Sequence, residues 1–143
     1  MIFEGSCHCA SIRVRLDLTT SAGETPVRAC SCDFCRQHGA RTVSDPAGAL
    51  EIFIVDPDAV HRYRFALMTA DYMICRRCGA YVAAIIATTR GLRSTLNVNL
   101  LDRREAFDPH PPAVDYSGET REQRISRRGE HWTPTTVVGD TAS

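Results

Sequence analysis

The sequence predicts a mainly β domain built around metal held by thiolates, and three observations carry that expectation. Ile12, Val14 and Leu16 alternate with Arg13, Arg15 and Asp17, the period-two pattern of a half-buried strand. Short β-rich runs of the same kind recur as far as residue 100, punctuated by Gly, Pro and Asp. Seven cysteines fall into three tight groups, Cys7-His8-Cys9, Cys30-Ser31-Cys32-Asp33-Phe34-Cys35 and Cys75-Arg76-Arg77-Cys78. Ligands one or two residues apart can reach one ion from a single turn, whereas a disulfide framework usually spreads its cysteines over separate elements.

The alternating run leaves the first cysteine pair as a strand. Residues 18–25 are polar and contain Gly23, a loop, after which residues 26–29 form a short strand that delivers the chain to Cys30. Residues 31–37 suit one helical turn ended by Gly39, and residues 41–44 resume a strand before the Asp45-Pro46-Ala47-Gly48 turn. The apolar run at 50–55 is a strand stopped by Asp56-Pro57-Asp58, and residues 63–65 and 72–74 are shorter ones, the last entering Cys75. Residues 80–87 are apolar on both faces, which fits a central buried strand or a short buried helix. In residues 94–100, Leu96, Val98 and Leu100 are expected to face the core, with Asn97 and Asn99 facing out or hydrogen-bonding across a cleft. Pro109, Pro111 and Pro112 then make a stiff linker, and residues 118–128 a charged helix whose main apolar residue is Ile125. Trp132, the single tryptophan, is expected to anchor this tail. The expected organisation is a zinc-binding β domain over 1–108, with 109–143 as a linker and C-terminal surface helix and tail of the same domain.

Composition narrows the chemistry. The 17 basic residues are all arginine and balance 17 acidic ones. With no lysine, a Schiff base, a pyridoxal aldimine and a P-loop lysine are excluded. A net charge of zero gives no electrostatic footprint for nucleic acid. The pairs Arg76-Arg77, Arg103-Arg104 and Arg127-Arg128 form at most a local patch, and solvated surface arginines are their ordinary reading. The start of the chain shows no signal peptide and no apolar run spans a membrane, so a cytoplasmic protein with free thiols is expected.

Seven thiols divide as four plus three, because a closed structural zinc site takes four ligands and a reactive one takes three and keeps an open position. Cys7, Cys9, Cys75 and Cys78, two single turns beside strands, make the four-thiolate structural site. Cys30, Cys32 and Cys35 are the candidate catalytic zinc ligands, a set able to exchange an incoming thiol. Alternatively His38 closes this second site as Cys3His, or the three thiols are simply buried.

The pattern Gly5-Ser6-Cys7-His8-Cys9, Cys30-Ser31-Cys32-Asp33-Phe34-Cys35-Arg36 and Cys75-Arg76-Arg77-Cys78-Gly79 resembles the family of glutathione-dependent formaldehyde-activating enzymes, which includes centromere protein V. Tyr63-Arg64-Phe65 before the last pair and Asn97-Val98-Asn99-Leu100-Leu101-Asp102 after it extend the resemblance to about residue 102. It implies an Mss4-like fold of twisted antiparallel sheets around a zinc site, and the same division of ligands. It also implies a carbon–sulfur lyase activity on the adduct of glutathione, or a similar thiol, with a small aldehyde.

In that reading Arg36 or Arg41 pairs with substrate carboxylates. Tyr81 and Asn97 could line the same pocket, but core packing for the tyrosine and strand-edge hydrogen bonding for the asparagine are their preferred readings. Two other readings stay open at this level: a noncatalytic zinc-stabilised binding module, and a redox or metal sensor built on the Cys30 group.

Overall fold

The computed structural model describes residues 1–139. Strands β1 (Ile2–Ser6) and β2 (Ile12–Asp17) form a hairpin around the first cysteine pair, and β3 (Ala29–Cys30) leads into helix α1 (Asp33–His38). There follow β4 (Thr42–Val43), β5 (Ala49–Ile54), β6 (Val60–Tyr63), β7 (Asp71–Cys75), β8 (Tyr81–Thr88) and β9 (Gly91–Asn97). After β10 (Ala113–Val114) come helix α2 (Arg121–His131) and strand β11 (Thr133–Val138).

The main sheet runs β1-β2-β5-β11-β9-β8-β7-β6, with β4 also on β9, while β10 and β3 pair separately in parallel. Apolar alternation sets its register. Ile12, Val14 and Leu16 lie opposite Ile54, Ile52 and Leu50, so each cross-strand pair on the inner face is aliphatic. Slipping either strand by one residue would turn its three inner side chains to the outer face.

Residues 80–87 left strand and helix open, and the structure makes them a strand. Tyr81 to Ile86 are all buried on β8 because both faces are covered. Val82, Ala83 and Ile85 enter the main core, whereas Ala84 and Ile86 pack with Ala70 and Trp132 on the other side. Residues 109–139 supply helix α2 and then β11, which enters the sheet parallel to β5 and antiparallel to β9, so the sheet is mixed; residues 140–143 of the expected tail lie outside the described residues. Trp132 is buried as expected, whereas Ile125 is exposed. No helix among the described residues is long and apolar enough to cross a membrane.

Candidate metal centres and the adjoining cleft

Two sharp turns bring the first group together. In the β1–β2 connection, Cys7 N–H donates to Ile12 O (3.0 Å), Ala10 N–H to Cys7 O (3.0 Å), and Ile12 N–H to Cys7 Sγ (3.4 Å). In the β7–β8 connection, Gly79 N–H donates to Cys75 O (2.8 Å) and Cys75 N–H to Ala80 O (2.9 Å), with Gly79 at φ 79°, a conformation glycine takes without strain. The sulfurs of Cys7, Cys9, Cys75 and Cys78 consequently lie within 4.8 Å of one another.

This group fits zinc. Cys7 Sγ and Cys9 Sγ are 3.8 Å apart, and Cys9 Sγ and Cys75 Sγ 3.6 Å. A tetrahedron with Zn–S near 2.3 Å has edges of about 3.8 Å. Electrostatics points the same way, since four thiols this close cannot all ionise without a cation among them. Burial pushes Cys7 up to about 12, while the hydroxyl and N–H of Ser11 bring the exposed Cys9 down to about 6.

The second group is local. Cys32 caps the N-terminus of α1, its Sγ accepting from Cys35 N–H at 3.4 Å. Gly39 closes the helix in the left-handed region, donating to Arg36 O (3.2 Å), and Ala40 N–H reaches Cys35 O (3.0 Å). The sulfurs of Cys30, Cys32 and Cys35 again lie within 4.8 Å of one another. Their neighbours push them apart in acidity: Cys30 and Cys35 together hold Cys32 well below the ordinary thiol range, while Cys35 is raised by Cys30 and Cys32 and by burial. A soft divalent ion suits this donor set too.

His38 is outside this group, where the sequence offered it as a fourth ligand. Its exposed ring stacks on Phe34 at 4.4 Å, with Nδ1 2.9 Å from Phe34 O. Beside the thiols opens a cleft of about 560 Å³ lined by Cys30, Cys32, Tyr72, Tyr116, Arg124 and Arg128, among others. An inner chamber of about 40 Å³ shares Cys30, Tyr72, Tyr116 and Arg128 with it and adds Cys35, Arg28 and Arg127. Phe34, Phe65, Tyr72 and Tyr81 form a connected aromatic cluster beside the thiols, with Phe34 5.0 Å from each tyrosine ring.

The two arginines singled out in the sequence line neither chamber. Arg36 is exposed on α1. Arg41 spends its guanidinium on Asn99 Oδ1 (2.8 Å) and on the carbonyls of Asp108 (2.9 Å), Arg104 (3.2 Å) and Phe107 (3.4 Å), tying the 104–108 segment to the sheet. Asn97 is buried and bridges chain segments: its amide donates to Tyr81 O (3.0 Å), and its Oδ1 accepts from Asn99 N–H (3.2 Å) and Arg41 N–H (3.4 Å). Tyr81 is buried and lines the inner chamber, so packing and pocket coincide there.

The cations that share these spaces with the thiols are Arg28, Arg124, Arg127 and Arg128, three of them on α2. From sequence alone Arg127-Arg128 reads as solvated surface. The available signal was the four-residue step from Arg128 to Trp132, which on a helix stacks a guanidinium over an indole.

A family model described as glutathione-dependent formaldehyde-activating enzyme matches residues 2–115 of the 143. The chain belongs to this family. Both thiol groups and β1 through β10 lie inside the matched span of the formaldehyde-activating family, whereas α2 and β11 lie beyond it. A crystal structure of a Rhodobacter sphaeroides protein, a structural-genomics target, has the same fold, with a TM-score of 0.59 at 24% identity over 78% of this chain and 99% of that one. No curated protein matches the chain.

Proposed function

We propose that this family member is a zinc-dependent enzyme of the carbon–sulfur lyase type, acting on the adduct of glutathione or a similar thiol with a small aldehyde. Cys7, Cys9, Cys75 and Cys78 hold a structural zinc, and Cys30, Cys32 and Cys35 a second, catalytic one. The observation that carries this reading is the contrast between the two groups: four thiols converge on one point, while three converge at the wall of a cleft of about 560 Å³. That volume is within the usual range for small-molecule sites.

In the forward direction the thiol S–H adds across the aldehyde C=O, so that a C–S bond forms and the carbonyl oxygen gains the proton. A zinc ion held by Cys30, Cys32 and Cys35 would supply a soft cation that favours the ionised form of a substrate thiol. The chain itself supplies orientation. Tyr72 lines both chambers, and burial raises its pKa so that the phenol stays protonated. Its oxygen accepts from Arg128 Nη2 (3.3 Å), which leaves the phenolic hydrogen free for an aldehyde oxygen. The aromatic cluster holds this phenol in place and keeps apolar surface next to the reacting carbon.

Elemental analysis combined with an exchange assay tests the proposal. The purified protein should carry about two zinc ions per chain and Cys32→Ser about one. The native protein, but not the variant, should speed the exchange between formaldehyde plus glutathione and S-hydroxymethylglutathione, followed by NMR. One zinc per chain, unchanged in Cys32→Ser, and exchange at the spontaneous rate would favour the noncatalytic binding module instead.

A further inference from the structure

Arg128 is the one buried residue of α2, only 6% exposed. A guanidinium does not shed its proton under physiological conditions, so burying it demands an anion or a full set of acceptors. Arg128 has neither. Nη1 donates to Thr69 Oγ1 (2.7 Å), Nη2 to the Tyr72 hydroxyl (3.3 Å), and the guanidinium lies 4.7 Å from the Trp132 ring centroid. These partners are all neutral. Buried Nε has no hydrogen-bond partner, and among the described residues no carboxylate is paired with Arg128. The helix neighbours differ: Arg124 and Arg127 both pair with Glu119, at 3.4 and 2.7 Å.

The unpaired cation stands in the wall of the inner chamber. Three arginines line that space, Arg28, Arg127 and Arg128, and no acidic residue does. The acids Asp33, Asp115 and Glu119 line the outer cleft instead. At about 40 Å³ the chamber exceeds what one water requires and is of the order of a carboxylate group. Cys30 borders both spaces, so one molecule can reach the thiol group while a carboxylate enters the chamber.

We propose that the inner chamber is an anion subsite in which Arg128 receives a carboxylate of the ligand whose reacting end lies at the Cys30 group. This rests on reading the Cys30 group as the reacting site. The carboxylate belongs either to the thiol, as in glutathione, or to the aldehyde, as in a 2-oxo acid. Because α2 lies beyond the span matched to the family, Arg127 and Arg128 of the subsite are supplied by this chain's own C-terminal segment.

Trp132 is the single tryptophan and stacks with Arg128, so its emission reports on the chamber directly. The zinc-loaded full chain is titrated with S-methylglutathione (carboxylates without a free thiol), with glutathione diethyl ester (a thiol without carboxylates), with glutathione and with glyoxylate. Saturable changes in emission are expected with glutathione and S-methylglutathione if the thiol carries the anion, or with glyoxylate if the aldehyde does. The diester should bind about tenfold or more weakly than glutathione in the first case. Arg128→Met, which keeps the packing volume, should weaken the responding carboxylate ligand about tenfold or more at unchanged zinc content.

The ester comparison needs no variant, so a poorly folded Arg128→Met leaves the test intact. Equal affinity for glutathione and its diester with no response to glyoxylate, or no saturable response to any acid, overturns the proposal. Arg128-dependent binding of S-methylglutathione together with exchange at the spontaneous rate would keep the subsite and reject the catalytic reading. Catalysed exchange with equal binding of acid and ester would do the reverse.

Discussion

Replacing Cys9 by serine should release the clamp that joins the β1–β2 turn to the β7–β8 turn. Cys9 is exposed, so the change opens no cavity, and its cost isolates the metal cross-link. Cys9 and Cys75 are 66 residues apart in sequence. Treated as a cross-link closing that loop, the site removes about 15 cal/mol/K of unfolded-chain entropy, or about 4 kcal/mol at room temperature. For a chain of this size that corresponds to a melting midpoint lower by roughly 8–16 °C. The same relation for the short loop closed by Cys30 and Cys35 gives about 2 kcal/mol, and α1 already restrains those residues, so Cys32→Ser should cost less. Calorimetry of the native protein, Cys9→Ser and Cys32→Ser, each with and without a strong zinc chelator, reads this ordering. Chelator should bring the native protein down toward Cys9→Ser. A Cys9→Ser midpoint within about 2 °C of native, with no effect of chelator on either, would refute the clamp.

Two further outcomes follow from single residues. Asn97→Ala leaves the Tyr81 carbonyl and the Asn99 and Arg41 amides without their side-chain partner in a buried setting, and should lower stability by about 2–3 kcal/mol in urea unfolding; a cost within about 0.5 kcal/mol would show that the bridge is dispensable. Glu119 is held below the usual carboxylate range by Arg127 and, more weakly, Arg124. Its contribution is therefore present above the unfolded value of about 4.3 and lost as pH falls through the lower folded value. The midpoint difference between native protein and Glu119→Gln should be flat above about pH 5 and close progressively below pH 4, and a difference that instead grew on acidification would contradict that sign.

The parts of the fold that sequence displayed are those where one periodicity dominates. The alternation of residues 12–17 became β2 with its inner face as expected, and Gly39 ended α1 where a left-handed residue was needed. β11 was hidden for a physical reason. Thr133, Pro134, Thr135 and Thr136 have no apolar alternation, and proline argues against an interior strand. Pro134 is tolerated because it is opposite Arg93 on β9 alone, the pairing with β5 starting only at Thr135. The thiol groups were legible because their ligands come in short spacings, which chain geometry must bring together. The cations beside them were not, since an arginine on a polar helix looks solvated until the tertiary structure buries it.

Helix α1 has six residues, too few to be stable in isolation, so its neighbours fix where its thiols stand. Phe34, between Cys32 and Cys35, makes that connection: it packs edge-on to Tyr72 at 5.0 Å, and the hydroxyl of Tyr72 accepts from Arg128. The cation that α2 buries and the helix that carries Cys32 and Cys35 are thus joined through one tyrosine, without any long-range path. Disturbing Arg128 therefore reaches the Tyr72 hydroxyl at the cleft and the ring that seats the thiol helix together. That juxtaposition gives the C-terminal segment a physical part in the site.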